Sequence, residues 1–415
     1  MPIQLLTGDC RDVLPTLASN SVHCVVTSPP YYALRSYLDA SHPDKHREIG
    51  SEPTPDAYIA TMVAVFREVR RILRNDGVMF LNVGDSYSSG ARMTQCDPSG
   101  NTGTATLADG GARRAPAGVA KPKDLLMMPA RLALALQADG WFIRSDIIWH
   151  KPNPMPESCT DRPTSAHEHV FLLTKRARYF WDAEAVREEA EYGRRDASGS
   201  WRGAAYLNQS GAQDNGVSNG VSGSITGKHP ETGRNLRNVW TIATAPYAEA
   251  HFATYPPALV ERCIRAGTSE RGACAACGAP YTRITERSVA FTSGSGKTGN
   301  VPNGKHAGAV QALSGDYDIR MGPSVATTTT GWRASCQCNA ETQPCTVLDP
   351  FLGSGTTALV ADRLQRHCVG IDLNTTYADL ARNRVTDDCP LFTSWAPAED
   401  PEERAMRDLF AEAAE

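Results

Sequence analysis

The sequence lacks any apolar run near the roughly 20 residues that a membrane span needs, so no span is expected. Met1-Pro2-Ile3-Gln4 has neither a basic stretch nor an apolar stretch behind it, which argues against a secretory leader and for a cytoplasmic protein. An excess of one charge is missing too: 42 Lys and Arg against 46 Asp and Glu leave a net −4. That excludes a polybasic tail protein, although a local basic groove can sit on a mildly acidic chain. No internal repeat is visible, and 41% hydrophobic residues exclude a wholly disordered chain. The 415 residues suit two or three domains, or one large α/β domain with insertions.

Twelve cysteines are present without the spacing of a disulfide framework. Most stand singly in apolar segments, as Cys24, Cys263 and Cys368 do, where cysteine behaves as a small hydrophobe. Only Cys274-x2-Cys277 and Cys336-x-Cys338 form close pairs. Four thiolates on two short knuckles suit a tetrahedral structural zinc, with Gly278 as the knuckle turn. The alternatives are unpaired thiols and redox chemistry, and Cys345 is a competing ligand.

Periodicity places the elements. Ile3–Leu6 reads as a strand, 12–17 as a weak helix, and Val22–Thr27 as a buried strand stopped by Pro29-Pro30. Met62, Val65, Phe66, Val69, Ile72 and Leu73 recur at helical spacing within 54–74, with Arg67, Arg70, Arg71 and Arg74 on a solvated face. Asn75-Asp76-Gly77 ends that helix, and Val78–Val83 is a strand. Further helices are expected over 124–138, 256–266, 356–364 and 376–384, and strands over 141–149, 170–174, 347–349 and 368–372. Apolar strands alternating with helices indicate a mostly parallel, doubly wound sheet, whose ligands bind at the carboxyl ends of strands. Asp9, Ser28, Asp349 and Asp372 all fall at strand ends.

Two motifs carry chemistry. In Asp349-Pro350-Phe351-Leu352-Gly353-Ser354-Gly355-Thr356-Thr357 a strand ends in an acid, small residues turn the chain, and a helix begins. Glycines permit close backbone approach, and the acid suits a cationic ligand group better than a pyrophosphate. Asp372 ends the next strand, where an acid holds ribose hydroxyls. Alone, this is equally a tight turn of any α/β protein. In Thr27-Ser28-Pro29-Pro30-Tyr31-Tyr32, the Ser28 hydroxyl and the Pro29 carbonyl can both accept hydrogens from one exocyclic amino group. That draws the nitrogen lone pair out of conjugation and makes it nucleophilic. Tyr31 can stack on a flipped base, and the bland alternative is a rigid proline turn. No Pro-Cys nucleophile stands in a matching context, which argues against cytosine C5 methylation.

At these residues, and from residue 3 to about 385, the sequence resembles the β-class amino-methyltransferases of DNA, which use S-adenosylmethionine. The catalytic motif precedes the cofactor motif, as in those enzymes. The resemblance implies an α/β fold: a circularly permuted class I methyltransferase with a target-recognition insert and a zinc-ribbon insert. It implies catalytic Ser28, Pro29, Pro30 and Tyr31. It also implies cofactor binding by Asp9, Thr254, Asp349, Phe351, Gly353, Ser354, Gly355, Thr356 and Asp372. Asp9 would face the adenine and Asp372 the ribose. The segments 251–256, 81–87 and 149–154 resemble other parts of the family pattern, and no chemistry is assigned to His251 or His23. Serine at the head of the catalytic motif is more typical of cytosine N4 enzymes, so cytosine N4 in double-stranded DNA is the expected target. Adenine N6 is the alternative. A catalytically silent DNA-binding or cofactor-binding module is the alternative of another class. A homodimer and a partner restriction endonuclease are left open.

The expected organisation is a catalytic half over 1–190 with a mobile loop at 88–120, and a target-recognition region at 191–240. A cofactor-binding helix segment at 241–269, a zinc ribbon at 270–344, a cofactor-binding half at 345–390 and an acidic tail at 391–415 follow. Arg194, Arg195, Arg202, Lys228, Arg234 and Arg237, with Trp201 and Tyr206, suit a region that orders on DNA. Arg113, Arg114, Lys121 and Lys123 flank the mobile loop and suit phosphate contacts.

Overall fold

The computed structural model describes residues 2–34, 36–38, 41–88, 121, 123–188, 234–245, 254–292, 298–300, 324–390 and 394–395. The loop expected at 88–120 (Ser88 apart), most of 191–240, residues 251–253 and most of the acidic tail lie outside them. The chain divides into two compact units: residues 1–182, 237–281 and 334–415 form one, and 183–236 with 282–333 form the other.

In chain order the first unit holds β1 (Pro2–Thr7), α1 (Cys10–Val13), β2 (Val22–Thr27), α2 (Pro55–Ile72), β3 (Leu73–Val83), α3 (Met128–Ala138), β4 (Phe142–His150) and β5 (His167–Thr174). It continues with β6 (Val239–Thr241), α4 (Pro257–Gly267) and β7 (Ala273–Cys274). The second unit holds β8 (Thr282–Thr292), β9 (Thr298–Asn300) and β10 (Ser324–Arg333), an antiparallel sheet in the order β10-β8-β9. The first unit then resumes with β11 (Thr342–Gln343), β12 (Thr346–Asp349), α5 (Thr356–Arg363), β13 (His367–Asp372), α6 (Thr375–Asp388) and β14 (Ser394–Trp395). Segment 270–344 is therefore split: its cysteine knuckles belong to the first unit and residues 282–333 to the second.

Nine strands make one sheet in the order β14-β1-β13-β12-β2-β3-β5-β4-β6. β5 runs antiparallel to both its neighbours, β3 and β4, and all other pairs are parallel. Every residue of β2 is buried, as expected of a strand covered on both faces. The chain leaves β12 toward β13 and leaves β2 toward β3, so the winding reverses between β12 and β2. Ligands of doubly wound sheets bind at such a point.

Local sequence explains the boundaries. The Thr54 side chain caps α2 by accepting from Ala57 N, Pro55 occupies the first turn, and Met62, Val65, Phe66, Val69 and Ile72 are buried. The helix stops at Ile72, three residues before Asn75-Asp76-Gly77, because Leu73 is already extended and pairs with Val22. The polar residues lie in an irregularity of β3 between the Val22 and Cys24 pairings. The expected helix over 124–138 begins only at Met128: Met127 is left-handed, with φ 55°, and Leu125 bridges to Tyr87. The helix arginines are less solvated than the sequence implies: Arg71 donates to the carbonyls of Leu14 and Leu17, and Arg74 to that of Cys277.

Candidate active site

Because β1, β2, β12 and β13 are parallel, their following residues Asp9, Ser28, Asp349 and Asp372 come to one edge of the sheet. At the point of reversal the two motifs meet. Thr27 Oγ1 donates to Asp349 Oδ1 at 2.7 Å, and Thr357 Oγ1 contacts the Val26 carbonyl at 3.3 Å.

Asp349 is fully buried and saturated. It accepts from Thr27 Oγ1, Phe351 N, Tyr255 OH and Thr357 Oγ1. Burial raises its pKa above the ordinary carboxyl value, against the pull of these donors. The acid thus ties β12 to β2, to α5 and to the residue after Thr254. Gly353 and Gly355 turn the chain with φ of 54° and 79°. A Cβ on Gly355 would lie 2.6 Å from Ala381 Cβ, so α6 packs directly on this turn. Arg384 of α6 reaches Ser354 O, Ser354 Oγ and Thr356 Oγ1 at 3.0–3.1 Å. Those two side chains are committed to α6, and only their backbone borders the turn.

Asp372 behaves differently. It accepts from Gly353 N and Asn374 N at 2.8 Å, one bond to each oxygen, which leaves acceptor positions for two hydroxyls. Burial pushes its carboxyl up to about 7. Thr254 has a buried hydroxyl with no partner among the described residues. An adenosine-bearing cofactor fits these features: a half-buried acid with acceptor positions left for a ribose, a left-handed glycine turn, and an orphaned hydroxyl on the residue before Tyr255. Asp9 does not offer the same. Its side chain caps α1 through Arg11 N and is ion-paired with Arg11 and with Arg47 at 3.1 Å. These partners hold its carboxyl below the ordinary range despite burial, and they occupy the oxygens expected to face an adenine.

On the catalytic side, Ser28 Oγ donates to Tyr31 OH at 3.1 Å, and Tyr31 OH donates to Glu168 Oε2 at 2.7 Å. Asn82 Nδ2 lies 3.3 Å from Ser28 Oγ, 2.9 Å from Tyr31 OH and 2.8 Å from Glu168 Oε2. Lys151 pairs with Glu168 Oε1 and rests 4.5 Å from the Trp149 ring centroid. The Pro30 carbonyl is taken by Tyr58 OH, whereas among the described residues nothing donates to the Pro29 carbonyl. Burial first, then the Glu168 carboxylate, push the Tyr31 phenol well above its usual range, so it stays a neutral donor.

Glu168 is absent from the residues that stand out in the sequence, and Asn82 enters there only within the segment 81–87, with no role of its own. Parallel strands bring their carboxyl ends to this edge, but β5 is antiparallel, so its first residues arrive there instead. Asn82 had a signal in plain view: an amide inside the apolar run Leu81-Asn82-Val83, 4% exposed.

The sulfurs of Cys274, Cys277, Cys336 and Cys338 all lie within 4.8 Å of one another. This fits a tetrahedral ion with bonds of about 2.3 Å, whose ligands stand about 3.8 Å apart. Cys345 is not among them and faces the Ser269 carbonyl. Gly278, with φ 70°, makes the knuckle turn, and His23 Nε2 lies 2.9 Å from its carbonyl. His23 Nδ1 accepts from Thr346 N at 2.9 Å, so the ring is neutral and donates through Nε2; burial pushes it down to about 4. These contacts seat the knuckle at the amino ends of β2 and β12, opposite the edge that carries Ser28. Lys123 is paired with Asp161 at 2.9 Å, Lys121 is exposed, and Arg234 pairs with Glu188 inside the second unit.

A doubly wound sheet with one antiparallel strand, a glycine turn and a half-buried acid on adjacent strands, and an oxygen pair beside them defines a class I methyltransferase fold. Its two halves occur in circularly permuted order. The chain belongs to the DNA methylase family of N6 and N4 methyltransferases, which it matches over residues 22–275 and 343–383. It is 34% identical over 382 residues to the type II methyltransferase M.SmaI of Serratia marcescens, covering 92% of this chain and 90% of that one. It is likewise 34% identical to M.Cfr9I of Citrobacter freundii, over 92% and 87% of the two chains. Among solved structures, the cytosine-N4-specific PvuII DNA methyltransferase superposes with a TM-score of 0.47 at 14% identity, over 92% of this chain and 90% of that one.

Proposed function

We propose that this protein methylates the exocyclic N4 amine of a cytosine flipped out of double-stranded DNA, with S-adenosylmethionine as donor. The observation that carries the reading is the state of Ser28. Its hydrogen is given to Tyr31, one lone pair faces Asn82, and one is left to accept from an amine. The unoccupied Pro29 carbonyl supplies the second acceptor, so two hydrogens of one amino group can be held together. Held so, the nitrogen directs its lone pair out of the ring plane.

The donor, when bound, supplies an electrophilic sulfonium methyl. Asp372 and the Gly353–Gly355 turn would hold its ribose and methionine ends, with Thr254 beside them and Asp349 fixing the turn rather than touching the ligand. No general base is needed before attack; positioning and exclusion of water contribute most of the rate. Tyr31 is half-buried, and its ring would stack on a flipped base. The four knuckle cysteines would hold one structural zinc, remote from the reacting groups, with no open ligand position.

The test is nucleoside analysis of DNA methylated in vitro. N4-methylcytosine supports the reading, N6-methyladenine replaces the base, and cofactor binding with no methyl transfer to any duplex leaves a silent module.

A further inference from the structure

The structure assigns a role to Glu168: we propose that it is the positioning residue and proton terminus of a relay running Ser28–Tyr31–Glu168. The proposal rests on the amine-activation reading above and adds the fate of the proton.

The donors along the chain all point one way. Ser28 donates to Tyr31, and Tyr31 donates to Glu168. That direction turns the Ser28 oxygen into an acceptor for the amine. If the orientation were reversed, the Ser28 hydrogen would point at the amine and compete with it. Asn82 Nδ2 lies within 3.3 Å of all three oxygens, and its two hydrogens hold them together. Lys151 holds the other Glu168 oxygen, and both of these side chains are mostly buried, at 18% and 16% exposed.

Methyl transfer needs such a terminus. The amine lone pair forms the N–C bond, and the donor's S–C bond breaks with its electron pair remaining on sulfur. As the N–C bond forms, positive charge builds on the nitrogen, and one hydrogen leaves in that same step, so the relay bears on the transfer rate. That proton passes to Ser28 Oγ as the Ser28 proton moves to Tyr31 and the Tyr31 proton to Glu168 Oε2. Glu168 ends neutral, Ser28 and Tyr31 end as they began, and the methylated amine is neutral.

The experiment compares Glu168→Gln and Tyr31→Phe in single-turnover methylation of a duplex carrying the target site, beside affinity for the cofactor and for that duplex. Gln can still accept from Tyr31 but takes no proton; Phe keeps the ring for stacking but cuts the relay. The expected result is a fall of at least about 100-fold in the single-turnover rate for each, as for loss of general-base catalysis. Both affinities should stay within about threefold, and the double variant should be no slower than either single one. A Gln or Phe variant that transfers within threefold of the wild-type rate overturns the relay. If Glu168→Gln does not fold, Tyr31→Phe decides alone. Ser28→Ala in the same assay separates the two claims. Inactive Ser28→Ala with fully active Glu168→Gln removes the relay and leaves the activation of the amine standing.

Discussion

Thr27 and Asp349 are 322 positions apart and share a 2.7 Å hydrogen bond. Through it the strand that ends in the catalytic motif is locked to the strand that ends in the cofactor turn. The two motifs of the candidate site are therefore registered against each other inside the core.

Ser28→Ala is expected to lower turnover by about 10- to 1000-fold while cofactor affinity stays within a few-fold. One hydrogen bond felt mainly in the transition state is lost, on the order of 1.5–4 kcal/mol. Steady-state kinetics with a cofactor titration check this, and full turnover would remove the proposed activation of the amine.

Gly84→Ala should act on Tyr31 without touching a polar group. A Cβ there would lie 2.6 Å from Tyr31 Cε2 and 3.0 Å from Cδ2. The ring must move, and its hydroxyl leaves Glu168. Turnover should fall by about tenfold or more, with thermal unfolding little changed because a side chain can yield where backbone cannot. Unaltered turnover would show that the position of the ring is not critical.

Asp372 gives a pH dependence with a definite sign. Its folded pKa, about 7, lies above the ordinary 3.8, so the folded state holds the proton more tightly than the unfolded chain does. Stability of the cofactor-free protein should fall as pH rises from about 4 to 7 and then level off. At 1.36 kcal/mol per unit the loss is on the order of 4 kcal/mol. Asp372→Asn should flatten that slope and weaken cofactor binding together. Denaturant unfolding across this range checks it; an identical slope in the variant would count against it.

One zinc per chain is expected, held by Cys274, Cys277, Cys336 and Cys338. Chelation, or Cys274→Ser, should lower stability, with activity lost only as folding is lost. The knuckle docks on His23, and Ser28 lies five residues along the same strand, about 17 Å away. Metal analysis showing intact fold, free thiols and no zinc would exclude the site.

Residues 191–240 are expected to choose the DNA sequence. Base edges are read by side chains in a groove, and this basic segment with Trp201 and Tyr206 has the composition for it. Exchanging it for the matching segment of a relative with another target should move the methylated site, and binding should weaken with added salt. A folded, active chimera that still modifies the original site would place recognition elsewhere.

Much of this was legible in the residues. Apolar strands alternating with helices indicated the sheet, and the four acids and hydroxyls at strand ends do share one edge. What escaped was the direction of single strands and the commitment of single side chains. A run such as His169-Val170-Phe171-Leu172 reads the same whether its strand is parallel or antiparallel, so Glu168 could not be placed. Asp9 looks like a ligand in sequence, but its neighbours Arg11 and Arg47 claim it once the chain folds. Ser354 and Thr356 are likewise claimed by Arg384, some 30 residues later.

The order of strands has a consequence for biosynthesis. β12 and β13 fill the sheet between β1 and β2, yet they lie at residues 346–372. While the ribosome is still making the preceding 300 residues, β1 has no partner on that side. β2, buried on both faces in the finished protein, offers an open edge of unpaired N–H and C=O groups. The centre of this sheet is its last part to be supplied. The central pairings of the sheet can therefore form only late in translation, and long-range parallel pairing of this kind is slow and exposed to aggregation.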